Sequence, residues 1–291
     1  MSVESAAIEG FFRLIGASKE ISDAAFYKKL RKSAVAYRRP TGAPLFCGIK
    51  TVSEVYCGMR YFTFVPRHVD TCRSVIYLHG SGYMNSYRRI QAAFAASLAK
   101  KSHCKVYFPI YPRLPCAVAI SCFALLNNFV AFIQKKGEVL LVGDSSGGSL
   151  ALSLASEKTE IKTVIALSPW VSLRVGKEGR AVKSDVMLSL SSLDKAADLW
   201  VGDLPFDSVK VSSISGNYVG KDLLIFAGER ELLFPDIKSF CNKASEQGAS
   251  ICFCVGQGQQ HCYPLMPTPE GRQAVRTLCQ KLGSALYGEK S

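Results

Sequence analysis

The chain has 291 residues, 48% of them hydrophobic and 20% charged, which is the composition of a globular protein with a sizeable core. Its formal net charge is +13, yet the basic side chains are scattered, and the sequence has neither an RNA-binding aromatic signature nor zinc-finger spacing. We therefore exclude nucleic acid as a partner. The densest basic stretch, residues 28–39, is interpreted as a solvated face, with weak contact to an anionic membrane as the alternative.

The eleven cysteines are predicted to be buried free thiols rather than a disulfide framework. Their number is odd, the chain is long, and several, such as Cys252 and Cys254, lie inside apolar runs. This usage is typical of a reducing compartment, so we predict a cytoplasmic location. Because Cys252 and Cys254 have no second pair elsewhere in the sequence, we expect no metal site.

Two segments resemble export or membrane signals only superficially. The first 16 residues lack a basic leading region and carry Glu4 and Glu9, so they are not interpreted as a signal peptide. Residues 116–133 are barely long enough for a membrane span and contain Asn127 and Asn128 near the middle. We expect a buried helix there.

In chain order, short apolar runs alternate with helical stretches. Most of the runs are continuously hydrophobic, as in strands that are buried on both faces of a parallel sheet. The predicted strands are 60–66, 74–80, 105–111, 138–144, 163–169, 222–228 and 250–256, and the predicted helices are 89–101, 117–135, 147–157, 236–247 and 272–286. The alternation predicts a doubly wound α/β sheet in one domain, residues 1–291. Residues 1–40 and 172–215 fall outside the alternation, and we expect them to cap the sheet edge where ligands bind in such folds.

A glycine-flanked serine pair lies between a predicted strand and a predicted helix. The sequence GDSSG (143–147) fits the pattern G-x-S-x-G in the strand–turn–helix context that this motif requires. The turn is too tight for Cβ atoms at the flanking positions, and it lifts the middle side chain above the sheet. We therefore predict Ser145 as a nucleophile and the backbone N–H of Ser146 as an oxyanion donor. A plain glycine turn or a phosphate nest is the alternative.

A serine nucleophile needs a base and a carboxylate that orients the base. Of the four histidines, His261 follows the last predicted strand, as the order serine, acid, histidine requires. The carboxylates near the end of the preceding strand are Asp222, Glu229, Glu231 and Asp236. Asp222 lies at the wrong end of the strand. Glu231, three residues past Gly228, is favoured, with Asp236 as the alternative.

A second small-residue loop, HGSGY (79–83), follows the predicted strand 74–80. Small residues let main-chain N–H groups approach an oxygen closely, so Gly80, Ser81 and Gly82 are predicted to form an oxyanion hole together with Ser146. His79 is expected to brace the loop rather than to act as a base. The aromatic residues Tyr83, Trp170 and Tyr263 are predicted to line a closed apolar substrate pocket, with core packing as the alternative for Trp170.

Seven motifs occur in order within a resemblance that runs from about residue 8 to 286: YLHGSGY (77–83), IYPRLP (110–115), GDSSGG (143–148), LSPWVSL (167–173), SDVMLS (184–189), IFAGERELL (225–233) and GQQHCY (258–263). Together they resemble the hormone-sensitive-lipase-like α/β-hydrolases, which include bacterial esterases, arylacetamide deacetylases and fungal sterol-acetate deacetylases. The resemblance implies an eight-stranded, mostly parallel sheet under a mobile helical cap. It also implies ester hydrolysis through an acyl-enzyme, without a metal or organic cofactor. Residue by residue, Ser145 matches the nucleophile, His261 the base and Glu231 the acid.

The chain departs from the family pattern in three places. Ser81 replaces the central glycine of the usual HGGG loop, although its amide, with those of Gly82 and Ser146, still matches the oxyanion hole. The segment after IYPRLP lacks the usual acidic residue that follows the proline, which leaves the bracing of that loop open. Glu231 stands where the family usually has aspartate, which moves the carboxylate one methylene further out.

The resemblance and the aromatic residues predict a hydrolase that removes a short acyl group, acetyl in particular, from a hydrophobic alcohol or a lipid. A small-molecule ester or lipid is thus the expected partner. Two alternatives stay open. One is a non-catalytic small-molecule receptor with the same fold, against which the retained His261 argues. The other is an amidase that uses the same three residues, because the acyl chemistry is shared.

Overall fold

The computed structural model describes residues 1–38, 42–69 and 72–287, and within them eight strands form one sheet. The strands are β1 (Ile49–Tyr56), β2 (Met59–Pro66), β3 (Ser74–Leu78), β4 (Lys105–Pro109), β5 (Val139–Asp144), β6 (Thr163–Leu167), β7 (Asp222–Gly228) and β8 (Ser250–Gly256). Their order across the sheet is β1-β2-β4-β3-β5-β6-β7-β8. The pairs β1–β2 and β2–β4 are antiparallel, and all the others are parallel. The predicted eight-stranded, mostly parallel sheet is confirmed.

Helices cover both faces of the sheet. They are α1 (Val3–Ile15), α2 (Asp23–Arg38), α3 (Arg89–Ser102), α4 (Ala119–Gln134), α5 (Ser145–Glu157), α6 (Lys177–Ala181), α7 (Leu190–Trp200), α8 (Phe234–Glu246) and α9 (Pro269–Tyr287). The apolar faces of α4, α5 and α8 pack in one core cluster, and those of α3 and α9 pack in the other. The central strands β3, β5 and β6 are therefore buried on both faces, as their continuous hydrophobicity predicts.

The segment predicted to be a buried helix is α4. Its inward face carries Cys122, Leu126, Phe129 and Ile133, all of which are fully buried, whereas Ser121 is exposed. This one-sided burial is that of a surface helix packed on a sheet. Among the helices of the described residues, none combines the length and the apolar character that crossing a membrane requires.

All eleven cysteines lie in the described residues, and each is a free thiol. The prediction that they are buried is wrong for Cys47, Cys57, Cys72 and Cys252, which are exposed. For Cys252 the physical reason is that β8 is an edge strand, with most of its residues partly or fully accessible to solvent.

The two regions outside the predicted alternation are helical. Helices α1 and α2 occupy most of residues 1–40, of which 39 and 40 lie outside the described residues, and α6 and α7 lie within 172–215. Phe12 of α1 and Leu193 of α7 line the same cavity as Ser145. Both regions therefore contribute walls to a cavity at the carboxyl edge of the sheet.

Candidate active site

Ser145 sits on a strained turn between β5 and α5. Its φ of 53° lies in the left-handed region, which a non-glycine residue adopts only where the surrounding structure imposes it. A Cβ atom on Gly143 would collide with the carbonyl oxygen of Gly147, and one on Gly147 would collide with that of Leu78. The two flanking glycines thus allow the close approach that holds Ser145 at the top of the sheet.

Three side chains from separate loops form a continuous chain of contacts. The hydroxyl oxygen Oγ of Ser145 lies 3.0 Å from Nε2 of His261. The other ring nitrogen of His261, Nδ1, contacts Oε2 of Glu231. Glu231 is fully buried, and its Oε1 accepts a hydrogen bond of 2.9 Å from the backbone N–H of Gly228. The arrangement joins a hydroxyl, an imidazole and a carboxylate in the order needed to remove a proton from serine.

Two neighbours affect the protonation of His261. Burial alone lowers the pKa of an imidazole, but the side chains of Cys262 and Glu231 outweigh burial and raise the pKa of His261 above its ordinary value. Burial also raises the pKa of the adjacent Cys262 thiol to about 11, so this thiol is neutral near pH 7. Glu231 is therefore the source of negative charge beside the ring.

The other candidate carboxylates lie elsewhere. Asp236 accepts a hydrogen bond of 3.0 Å from the backbone N–H of Gly176, and burial raises its pKa. Glu229 accepts one of 2.8 Å from the N–H of Gly258. Asp222, at the far end of β7, forms an ion pair with a lysine of α9. Of the four, the structure brings Glu231 to His261.

Two further residues hold the loops of Glu231 and His261, and the sequence analysis gave them no role. Ser168, at the end of β6, accepts a hydrogen bond of 2.9 Å from the backbone N–H of Cys262, directly after His261. Asp185 accepts one of 2.8 Å from the N–H of Leu232, directly after Glu231. Both lie in motifs that carry the resemblance, LSPWVSL and SDVMLS, which was the available signal.

The predicted oxyanion hole is only partly free to receive an oxygen. Gly82 follows Ser81 in a turn with φ of 57°, and within the described residues its N–H has no acceptor. Ser146 is the second residue of α5, so its N–H has no acceptor in the helix. The N–H of Ser81, however, donates a hydrogen bond of 3.0 Å to Oγ of Ser146. Gly80 approaches Asp144 so closely that it has no room for a Cβ atom.

A polar network braces the loop 79–83. Gln91 donates hydrogen bonds of 2.9 Å to the carbonyl of Gly80 and 2.6 Å to Oδ2 of Asp144. Tyr77 donates one of 2.7 Å to the other oxygen of Asp144. Since Asp144 precedes Ser145 directly, this buried carboxylate connects the loop to the turn that carries Ser145. Neither Gln91 nor Asp144 was predicted from the sequence to have a role.

His79 belongs to the brace, as predicted. Its ring stacks on Tyr111 with 4.5 Å between centroids, and Nδ1 lies 3.3 Å from the carbonyl oxygen of Gly80. The hydroxyl of Tyr111 donates a hydrogen bond of 2.5 Å to the carbonyl of His79. Burial, with the nearby positive charge of Arg113, lowers the pKa of His79 to about 3. His79 is therefore neutral.

Arg113, within the IYPRLP segment, has few polar partners in the part of the chain that the structure describes. Arg113 is almost fully buried, and its Nη2 donates a hydrogen bond of 2.5 Å to Ser86. The guanidinium lies 5.2 Å from the ring of Tyr37. Within the described residues, its Nε and Nη1 have no acceptor. A hydroxyl and an aromatic ring thus hold the Arg113 guanidinium.

Substituting Ser146 by alanine is expected to increase turnover. Ser146 is fully buried, and its hydroxyl oxygen accepts a hydrogen bond from the N–H of Ser81. Removing the hydroxyl releases this third donor toward an oxyanion. One oxyanion donor typically changes kcat by about 100- to 1000-fold. We expect kcat to increase only about threefold or more here, because the oxyanion already competes with the Ser146 hydroxyl for the N–H of Ser81. The measurement is kcat on an activated ester, with Ser153→Ala as the control in the same helix. A lower kcat for Ser146→Ala would contradict this role of the hydroxyl.

The cavity above Ser145 has a volume of about 410 Å³ and a wall of both apolar and polar residues. Its apolar walls include Phe12 and Ile15 of α1, Leu193 of α7, and Leu265 and Met266. Lys29, Arg88 and Asn85 add polar groups at its walls. This size suits one small organic molecule.

The predicted pocket residues need correction, because Tyr83, Trp170 and Tyr263 are not among the described residues that line this cavity. The rings of Tyr83 and Trp170 are core side chains, and Tyr83 stacks on Trp200 with 4.3 Å between centroids. Tyr263 belongs to the opposite core cluster, where it contacts Phe226. The alternative of core packing is right for Trp170. Aromatic residues that follow a catalytic motif in sequence can turn inward, and the motif itself does not reveal this.

Comparisons with known proteins agree with the fold. The protein family whose description is "alpha/beta hydrolase fold" matches residues 75–265 of this chain. An esterase of Acinetobacter venetianus is 23% identical over 233 residues, which cover 74% of this chain and 76% of that protein. LipR of Mycobacterium tuberculosis, named as an acetyl-hydrolase, is 27% identical over 236 residues, 76% of each protein.

Solved structures show the same fold. The crystal structure of an esterase from the bacterial hormone-sensitive lipase family has a TM-score of 0.84 to this chain, at 19% identity. The superposition covers 98% of this chain and 99% of that chain.

Proposed function

The chain belongs to the α/β-hydrolase fold family and is a carboxylic ester hydrolase, and from this premise we propose that it removes short acyl groups, acetyl in particular, from hydrophobic alcohols or lipids through an acyl-enzyme. The observation that carries the proposal is the unbroken contact chain from Ser145 through His261 to Glu231. We assign these residues as nucleophile, base and orienting acid.

The proposed mechanism has two halves. Oγ of Ser145 attacks the ester carbonyl carbon while Nε2 of His261 accepts the hydroxyl proton. The N–H groups of Gly82 and Ser146, joined by that of Ser81 when it leaves the Ser146 hydroxyl, donate to the oxyanion. His261 then passes the proton to the leaving alcohol. A water molecule repeats the attack on the acyl-enzyme, which releases the acid and restores Ser145.

Glu231 has two tasks in this scheme. Its contact with Nδ1 keeps the other nitrogen of His261 directed at Ser145, and its charge stabilises the imidazolium that forms in each half-reaction. The hydrogen bond from Gly228 holds the carboxylate, so the additional methylene of glutamate is accommodated by the loop after β7.

A short acyl group fits the packing beneath the nucleophile. The backbone N–H of Trp170 donates a hydrogen bond of 3.1 Å to the carbonyl of Ser145, and the rings of Tyr83, Trp170 and Trp200 fill the core beside it. The open volume lies instead toward α1 and α7, where Ile15, Leu193 and Met266 offer apolar surface to the alcohol. The name of LipR as an acetyl-hydrolase supports the same acyl size.

We further propose that residues 1–40 and 172–215 act as a cap and that the protein works in a reducing, cytoplasmic compartment. The cap is supported by cavity walls from α1 and α7. The compartment is supported by the free thiols, of which Cys47, Cys57 and Cys72 are exposed and open to oxidation elsewhere.

The test is hydrolysis of p-nitrophenyl esters from acetate to palmitate, together with p-nitroacetanilide as the matched amide. We expect acetate and butyrate to be cleaved at least about tenfold faster than palmitate, because the rings of Tyr83, Trp170 and Trp200 fill the core beside the nucleophile and leave little room for a long acyl chain. We also expect the amide to react far more slowly than its ester.

Each other result has a definite meaning. Preference for the amide would make the protein an amidase. Folded protein without activity on any ester would favour the receptor alternative, although His261 is retained and in contact with Ser145.

A further inference from the structure

Helix α1 buries the polar residues Ser5 and Glu9 and exposes several apolar residues, unlike an ordinary surface helix. Ser5 and Glu9 are buried against the protein, whereas Val3, Phe11 and Leu14 are exposed, Leu14 to 84%. A surface helix normally turns its apolar stripe inward. This burial pattern indicates that the outer face of α1 has a partner of its own.

Polar contacts fix this orientation. Oγ of Ser5 lies within hydrogen-bond distance of Gln259 (3.1 Å) and Glu270 (2.9 Å), and Glu9 forms an ion pair of 2.8 Å with Arg230. These contacts anchor one side of α1 to the loops around His261 and to α9. The helix therefore cannot rotate its apolar side inward without leaving buried polar groups unpaired.

The outer face is a continuous apolar stripe. Val3, Ala7, Gly10, Phe11 and Leu14 recur at helical spacing, and all five are exposed. Ile15 extends the stripe at the end of the helix, with 55% of its surface exposed. Scattered apolar residues on a surface need no explanation, but a contiguous stripe marks an interaction site.

The stripe ends at the mouth of the catalytic cavity. Phe12 and Ile15 line that cavity, and so does Lys29 of the neighbouring helix α2. After Asp23, every charged residue of α2 is basic, and the cations Lys28, Lys29, Arg31 and Lys32 are exposed. An apolar stripe beside a cationic helix is the combination that binds anionic lipid interfaces.

We propose that α1 docks on an anionic lipid surface, with Phe11 and Leu14 inserted among the acyl chains and the cations of α2 against the head groups. A second copy of this chain fits less well, because facing α2 helices would repel and the contact would obstruct the cavity mouth. Resting on the proposed function, this docking delivers a lipid ester to Ser145 directly from the membrane.

The test is flotation of the full-length protein with vesicles of phosphatidylcholine alone or mixed with phosphatidylglycerol. The probe protein carries Ser145→Ala, so that binding is measured without hydrolysis and is independent of the esterase assignment. We expect flotation with the anionic vesicles, a decrease at high salt, and little flotation with phosphatidylcholine alone.

Substitutions distinguish lipid binding by the α1 stripe from non-specific binding through other exposed apolar residues. Phe11→Ser with Leu14→Ser should lower the partition coefficient at least about tenfold. The control is Val55→Ser with Val219→Ser, two apolar residues of similar exposure outside α1, which should bind like the parent. In the background with Ser145 intact, the Phe11/Leu14 variant should hydrolyse soluble p-nitrophenyl acetate normally.

Two results would overturn the proposal. The first is equal flotation of the Phe11/Leu14 variant and the Val55/Val219 control. The second is the absence of flotation together with a dimer in sedimentation velocity that the α1 substitutions dissociate, which would make a second copy the occupant of the stripe.

Discussion

The Ser145→Ala variant is expected to lose about 10⁴-fold or more of the turnover of p-nitrophenyl acetate. The substitution removes the oxygen that lies 3.0 Å from Nε2 of His261, and no covalent acyl-enzyme can then form. The expected residual rate is that of a water molecule activated near His261 and polarised by the amides of Gly82 and Ser146. The measurement is kcat, together with the loss of the burst that an accumulating acyl-enzyme produces.

A neighbouring serine supplies the control for this loss. Ser153 lies on α5, is also buried, and has no place in the contact chain. Ser153→Ala should therefore keep most of the activity, and both variants should unfold at about the temperature of the parent. If Ser145→Ala keeps turnover within about tenfold of the parent, Ser145 is not the nucleophile.

The sequence predicted the strands correctly where they are buried on both faces of the sheet. Strands such as β5 and β6 have continuous hydrophobic runs, which packing on both sides requires. Strand β1 was not predicted from its residues. It lies at the edge of the sheet, and its polar and apolar residues do not form a continuous hydrophobic run. Only the resemblance supplied an eighth strand. The same edge effect leaves Cys252 of β8 exposed.

The three residues of the contact chain were predictable because sheet topology brings them together. Ser145 and His261 are 116 positions apart, yet both follow the carboxyl ends of parallel strands and so meet at one edge. Side-chain directions within loops were less predictable. The hydroxyl of Ser146 accepts a hydrogen bond from the N–H of Ser81, and the ring of Tyr83, whose φ is 58°, is buried in the core. Neither feature can be predicted from the spacing of residues in the sequence.

Replacing Glu231 tests the acid, and Glu231→Gln should lower kcat/KM by several hundredfold or more, since loss of the corresponding aspartate in serine hydrolases costs about 10⁴-fold. The pH profile should change as well. The carboxylate raises the pKa of His261, so activity of the parent falls as the pH drops below that raised value and the base becomes protonated. Removing the charge lowers the pKa of His261. The acidic limb of kcat/KM should therefore move to lower pH in Glu231→Gln.

Asp236 provides the matched comparison, because it lies five positions further on and is partly buried. Its carboxylate accepts a hydrogen bond from Gly176 and does not contact His261, so Asp236→Asn should affect stability more than chemistry. We expect its kcat/KM to stay within about tenfold of the parent and its acidic limb to remain in place. A larger loss for Asp236→Asn than for Glu231→Gln, or an acidic limb that moves only in the former, would assign the orienting acid to Asp236. An unmoved limb in both variants would mean that neither carboxylate sets the charge of His261.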